Sequence, residues 1–188
     1  MQRLAIVSLV VVVACAEPAP PVAPSVSSKG PAISTVDVYF PLEAGKIYHY
    51  VTLENGESGM LVARVHRTDA SRAELRLSNA TKRFVYTPEG VAYDGGAFIL
   101  KAPLDVGATW PGEHGGTTRV ASVDASVTVA AGSYAACVQT IEEGGRPPGS
   151  RYTTTYCPGV GMVLLEIAAG GGEARAELKS YGAPIKID

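Results

Sequence analysis

Apolar and polar residues alternate repeatedly along this chain, and each alternating run ends at a turn signal. The pattern is clearest near the C-terminus, where Ala174, Ala176 and Leu178 would share one face of a strand, with charged residues between them. A period of two is typical of a β-strand with one solvated face. Turn signals such as Asn55-Gly56 indicate antiparallel hairpins. The sequence therefore predicts an all-β fold, either an antiparallel barrel, closed or incomplete, or a strongly curved sheet of about 8–11 short strands.

One segment fits two kinds of secondary structure. Residues 60–87 contain neither glycine nor proline, and several alanines and leucines within 69–84 also fit a helical stripe, with Asp69 as an N-cap. The same residues can form two strands that break near Ser78. We interpret the segment as two strands, and the helix stays open as the alternative.

The N-terminus has the features of an export signal. Arg3 precedes an apolar stretch over residues 4–13, which as a helix would cover about 15–20 Å, well short of a ~30 Å hydrocarbon core. A cleaved signal is therefore favoured over a permanent membrane span. Residues 12–15, Val-Val-Ala-Cys, resemble the bacterial lipobox, in which the cysteine is acylated and becomes the new N-terminus. Residues 1–15 are thus predicted to be a lipoprotein signal peptide with Cys15 as the lipidation site.

An alternative cleavage after Ala16 would release a soluble protein that begins at Glu17. Both cleavage patterns place the mature chain outside the cytoplasm. In the lipobox pattern an acidic residue after the cysteine favours the inner membrane, and Ala16 stands there instead. The expected location is therefore the bacterial cell envelope, as an outer-membrane lipoprotein that faces the periplasm or the surface.

The composition changes after the signal. Residues 16–35 hold five of the thirteen prolines and no aromatic residue, whereas all thirteen aromatic residues lie at or after Tyr39. A stretch of this kind has little to bury and stiffens toward polyproline II. We expect residues 16–35 to form a Pro/Ala-rich tether and residues 36–188 to form a single β domain.

The other two cysteines can be placed opposite each other in a hairpin. If the strands on either side of a turn are symmetric about position 147, Cys137 faces Cys157, and Glu143 faces Arg151. Exported domains usually pair their cysteines. A disulfide between Cys137 and Cys157 is therefore predicted. A redox or metal-binding pair is the alternative, but the chain has neither a C-x-x-C spacing nor clustered histidines.

Catalytic and cofactor signals are missing from the sequence. The three histidines stand apart, and there is no nucleophile elbow, P-loop or dinucleotide fingerprint. Sixteen basic and eighteen acidic residues give a net charge of −2, which offers no attraction for nucleic acid. No metal, cofactor or nucleic-acid partner is predicted, and a hydrolase would need carboxylates that converge only in the fold.

The aromatic residues are the remaining candidates for a binding site. A tyrosine ring is apolar and its hydroxyl is polar, so a group of them can line an amphipathic cavity. Ordinary strand packing, with the hydroxyls at the rim, is the alternative. The residues predicted to line a cavity are Tyr48, Tyr50, Phe84, Tyr86 and Trp110.

Three stretches resemble a family of uncharacterised bacterial lipoproteins that have an all-β envelope domain. They are Tyr39-Phe40-Pro41-Leu42 with Gly45 and Tyr48-His49-Tyr50; Ala131-Gly132-Ser133-Tyr134 with Cys137; and Tyr156-Cys157-Pro158-Gly159-Val160-Gly161-Met162-Val163. Tyr48 stands where the family often has tryptophan, and Cys157 where it often has alanine. The resemblance implies an antiparallel, barrel-like domain at the cell envelope, and it implies no activity.

Together these observations predict a lipid-anchored envelope lipoprotein with a non-enzymatic binding or scaffolding domain. Its expected partners are the membrane, through the N-terminal lipid, and either a small apolar ligand or an envelope protein. A carrier of a lipid or other apolar ligand is one alternative, and a secreted hydrolase is another.

Overall fold

The computed structural model describes residues 35–184, which form twelve strands and one short 3-10 turn, Asp37–Tyr39. The predicted signal peptide with Cys15, and residues 16–34 of the predicted tether, lie outside the described residues. The strands are β1 (Ile47–Glu54), β2 (Glu57–Arg67), β3 (Arg72–Arg76), β4 (Thr81–Thr87), β5 (Gly90–Tyr93), β6 (Phe98–Lys101), β7 (Thr109–Pro111), β8 (Thr117–Val129), β9 (Gly132–Glu143), β10 (Arg151–Cys157), β11 (Gly161–Ala169) and β12 (Gly172–Gly182).

The twelve strands form one antiparallel sheet that curls into a nearly closed barrel. Each strand pairs with the next one along the chain, except β6 with β7, and β1 also pairs with β12. β6 and β7 are therefore the two edges of the sheet. The all-β prediction is confirmed. The number of strands exceeds the expected 8–11 because β5, β6 and β7 are only three or four residues long, too short for an alternating pattern to be recognised.

The ambiguous segment forms strands. β3 and β4 are separated by a turn at residues 77–80, so the two-strand interpretation of 69–84 is confirmed. Each strand pairs with neighbours on both sides, and these long-range hydrogen bonds outweigh the helical spacing of the alanines and leucines. Within residues 35–184 there is no helix of the length and apolarity needed to cross a bilayer.

Inward and outward side chains alternate as the sequence pattern predicts. On β1, Tyr48 and Tyr50 are buried in the barrel while His49 lies between them on the other face. On β12, Ala176 and Leu178 are buried. The core is therefore the interior of the barrel.

Side chains join the two edge strands where backbone pairing is missing. The indole Nε1 of Trp110 on β7 donates a hydrogen bond to the carbonyl oxygen of Phe98 on β6 at 3.0 Å. This contact crosses the seam between the two sheet edges. The barrel is thus closed by main-chain hydrogen bonds everywhere except here.

The β9–β10 hairpin has the predicted register. Arg151 pairs with Glu143 and Tyr156 with Val138, as symmetry about position 147 requires. Cys137 and Cys157 are joined by a disulfide with a Cα–Cα distance of 4.3 Å, and both are fully buried.

The two ends of the barrel differ in the turns and side chains that lie there. At one end, which we call the plug end, β4 and β10 finish while β1 and β11 begin; residues 36–42 pack there, with Val36, Phe40 and Leu42 buried. At the other end, which we call the mouth, lie the turns at 77–80, 94–97, 112–116 and 144–150. The buried side chains of Val36, Phe40 and Leu42 at the plug end are apolar, and the mouth carries most of the polar groups described next.

Candidate ligand-binding cavity

The interior of the barrel is not completely filled by side chains. A cavity of about 240 Å³ runs through it, larger than an engineered apolar cavity of ~150 Å³ that binds benzene. Its wall is largely apolar. The apolar side chains include Phe40, Leu42, Leu61, Leu75, Ile99, Met162, Leu165 and Ile167.

Three of the five aromatic residues singled out in the sequence lie in this wall. Tyr48, Tyr50 and Phe84 line the cavity. Tyr86 and Trp110 are buried but do not line it. Tyr86 donates a hydrogen bond to the carbonyl oxygen of Phe40 at the plug end, and Trp110 donates one across the seam. Three of the predicted residues therefore line the cavity, and the other two belong to the framework of the barrel.

The hydroxyls of Tyr48 and Tyr50 are turned to the backbone. Tyr48 donates to the carbonyl oxygen of Val160 and Tyr50 to that of Met162, both at 3.0 Å. Burial raises the pKa of both phenols far above the ordinary value near 10, because the charged form would lose its hydration. These residues therefore present apolar rings to the cavity, not hydroxyls.

A buried carboxylate organises the mouth. Oε1 of Glu142 accepts hydrogen bonds from the backbone N–H groups of His114 at 2.8 Å and Gly116 at 3.1 Å. A Cβ on Gly112 would approach the carboxyl carbon of Glu142 to 2.1 Å, so a larger residue there would displace this carboxylate. Glu142 thereby fixes the loop at 112–116 against β9.

The same carboxylate orients a histidine. Oε2 of Glu142 lies 2.9 Å from Nδ1 of His114, and a carboxylate can only accept, so Nδ1 carries a proton. The imidazole stacks on the ring of Tyr152 with 3.6 Å between centroids. His114 is thus held in one orientation in the cavity wall.

Three further polar side chains contact one another at the mouth. Nζ of Lys82 contacts Oε1 of Glu113 at 2.9 Å and the hydroxyl of Tyr93 at 3.2 Å. Tyr93 in turn donates to the other oxygen of Glu113. Burial, followed by the charge of Glu113, raises the pKa of Tyr93 well above its usual value. All three residues line the cavity, and they link β4 and β5 to the loop at 112–116 across the seam.

Sequence reasoning missed this polar mouth. Its charged residues come from three distant parts of the chain, and each looks isolated in the sequence. One signal was available: the predicted hairpin register places Glu142 opposite Tyr152, on the face that points inward. Among residues 35–184, no group of three or more His, Cys, Asp and Glu side chains is arranged to hold a metal ion.

Comparisons with known proteins identify the fold. No protein-family model matches the sequence, and no curated protein shows significant similarity to it. A Bacteroides fragilis protein described as exported, with a YmcC-like fold, superposes with a TM-score of 0.53 at 12% identity, over 74% of this chain and 96% of that one. A Parabacteroides distasonis protein described as a lipoprotein gives a TM-score of 0.41 at 13% identity, over 77% and 98% of the two chains. The described domain is therefore similar in fold to the YmcC-like structure.

Proposed function

We propose that this chain is a lipid-anchored cell-envelope lipoprotein whose barrel binds a small amphipathic or apolar molecule. The observation that carries the proposal is the cavity of about 240 Å³ with a mainly apolar wall. Protein interiors are normally packed with few voids larger than a water molecule, so an unfilled cavity of this size favours a ligand over a purely structural core.

The envelope location is supported by the sequence and by one structural neighbour. The lipobox-like residues 12–15 follow directly on the apolar stretch. The Bacteroides fragilis neighbour is described as exported, which agrees with a location outside the cytoplasm. An outer-membrane position remains the expectation from Ala16.

Binding is favoured over hydrolysis by the contacts of the two carboxylates that line the cavity. Glu142 is bonded to two backbone N–H groups and to His114. Glu113 is bonded to Lys82 and Tyr93. Both carboxylates therefore have structural partners, whereas a catalytic pair needs one to protonate a leaving group and the other to act as base or nucleophile.

The binding function is tested by filling the cavity. Ala63 lines the cavity, and its neighbour Val62 lies on the other face of β2. We expect the full chain, held in amphipol, to bind 1-octanol, and the Ala63→Leu variant to bind it about tenfold more weakly or not at all. We also expect a higher melting temperature for Ala63→Leu, because filling a cavity stabilises the folded state by about 0.5–2 kcal/mol.

The Val62→Leu variant is the matched control, because it adds bulk on the outer face of the same strand. It should bind 1-octanol as the unchanged chain does. Equal binding by all three proteins would show that octanol does not enter the barrel, and the binding function would then be wrong.

The anchor is tested separately by mass spectrometry of the protein purified from its own envelope. A diacylglyceryl group on Cys15 as the first residue is the expected result. A mature mass that begins at Glu17 would contradict the lipoprotein assignment and would leave the binding function unaffected.

A further inference from the structure

The cavity has an apolar end and a polar end, so an amphipathic molecule has one favourable orientation in it. Phe40 and Leu42 line it at the plug end. At the mouth, the side chains of Lys82, Glu113 and His114 are 43, 34 and 33% exposed and thus lie between cavity and solvent. The apolar part of a ligand would extend toward the plug end, and its polar head would lie at the mouth.

The mouth offers mainly hydrogen-bond acceptors. His114 donates its Nδ1–H to Glu142, and in a neutral imidazole with that proton on Nδ1 the other nitrogen, Nε2, is an acceptor. Glu113 receives one bond on each oxygen, from Lys82 and from Tyr93, and a carboxylate has about four acceptor positions. A head group that donates hydrogen bonds would therefore find free partners.

A carboxylate head group would find no free lysine or arginine there among the described residues. Lys82 is the one lysine or arginine among the described residues that line the cavity, and it is already held by Glu113 at 2.9 Å. An added carboxylate would compete with Glu113 for this ammonium group. It would also lie near the carboxylate of Glu142, and two like charges about 4 Å apart repel by about 1 kcal/mol even in water.

We propose, building on the binding function above, that the cavity takes amphipathic molecules with a hydrogen-bond-donating head, either a hydroxyl or an ammonium group, and discriminates against fatty-acid carboxylates. The cavity of about 240 Å³ is larger than the ~150 Å³ cavity that holds benzene, so it can take a short apolar part.

Three probes of equal chain length test the head-group preference. 1-Octanol, octylammonium and octanoate are titrated calorimetrically into the full chain in amphipol at neutral pH. The alcohol and the ammonium should bind at least about tenfold more tightly than octanoate. Glu113→Gln should weaken octylammonium binding about fivefold relative to octanol, because it removes one negative charge at the mouth.

The control variant for this charge is Glu43→Gln. Glu43 also forms a lysine pair, with Lys46 at 2.8 Å, but its side chain is 58% exposed and it does not line the cavity. The ratio of octylammonium to octanol affinity should stay unchanged in this variant.

The outcomes separate the two proposals. Tightest binding by octanoate, or equal binding of all three probes that Ala63→Leu abolishes, would overturn the head-group preference and leave the binding function standing. Absence of binding by every probe would overturn both.

Discussion

At the scale of single residues, the buried tyrosines act as connections between distant parts of the chain. Tyr48 and Tyr50 bond to the start of β11, and Tyr86 bonds to the carbonyl oxygen of Phe40 at 2.7 Å. Each hydroxyl thereby has a hydrogen-bond partner inside the barrel, as buried polar groups require. The sequence suggested hydroxyls at the rim as one alternative; the structure places them inside, on the backbone.

The Tyr86→Phe variant tests this role. It removes the hydroxyl and leaves the Phe40 carbonyl without its side-chain partner, so we expect the free energy of unfolding to fall by about 1–2 kcal/mol. Urea unfolding measures the loss. Tyr181→Phe is the control, since Tyr181 is 37% exposed. An equal loss in both variants would contradict the role given to the Tyr86 hydroxyl.

Glu142 is a second residue that connects distant parts of the chain, because it binds the loop at 112–116. Replacing it with glutamine keeps an acceptor for the backbone N–H groups, but the amide NH₂ would face the Nδ1–H of His114. A hydrogen bond that involves a charged group contributes about 1.5–3 kcal/mol. We therefore expect Glu142→Gln to destabilise the loop at 112–116 by about 2 kcal/mol.

Hydrogen exchange at the amides of His114 and Gly116 would report this change directly. Both amides should exchange faster in Glu142→Gln. Glu143→Gln is the matched control, since the neighbouring Glu143 is 53% exposed and pairs with the exposed Arg151, and such pairs contribute little. Unchanged protection in Glu142→Gln would show that the carboxylate does not hold the loop.

At the scale of elements, two of the three stretches singled out in the sequence, residues 39–50 and 156–163, meet at the plug end. Tyr48 on β1 bonds to the Val160 carbonyl, and the N–H of Gly159 donates to the carbonyl of Val38 at 2.7 Å. Phe40 packs edge-on against Tyr156 with 6.0 Å between ring centroids. These residues are far apart in sequence, yet together they close one end of the barrel.

The β9–β10 hairpin carries the disulfide and also the mouth carboxylate. Cys137 and Cys157 are 20 positions apart, and a cross-link over a loop of this size stabilises by about 3 kcal/mol. The Cys137→Ala, Cys157→Ala double variant should lose about that much stability in guanidinium unfolding. Chemical reduction of the unchanged chain should give a similar loss. A loss below about 1 kcal/mol in both measurements would show that the hairpin does not depend on the cross-link.

At the scale of the whole molecule, the features that sequence reasoning predicted are the local ones. Alternation on β12 and symmetry about position 147 depend on residues within one hairpin, and both are seen in the structure. The mouth was not predictable in the same way. Lys82, Glu113 and Glu142 come together only after the barrel has curled and its two edges meet at the seam.

The barrel interior should make the fold sensitive to alkaline pH. Burial raises the pKa of five tyrosines, Tyr48, Tyr50, Tyr86, Tyr93 and Tyr156, far above the ordinary value near 10. Between pH 10 and those raised values the folded state keeps protons that the unfolded state loses. The stability contributed by the neutral phenols is thus complete below pH 10 and is lost as the pH rises.

Each such tyrosine lowers the free energy of unfolding by about 1.4 kcal/mol per pH unit above pH 10, so the five together should cause cooperative alkaline unfolding. Absorbance at 295 nm, which reports phenolate, should rise for these tyrosines together with the loss of β-sheet circular dichroism. In Tyr50→Phe the free energy of unfolding should fall less steeply with pH above pH 10, by about 1.4 kcal/mol per pH unit, because one ionisable phenol is missing. Reversible ionisation of all tyrosines near pH 10 with the circular dichroism unchanged would mean that the barrel interior is open to water, and an apolar cavity could not then exist.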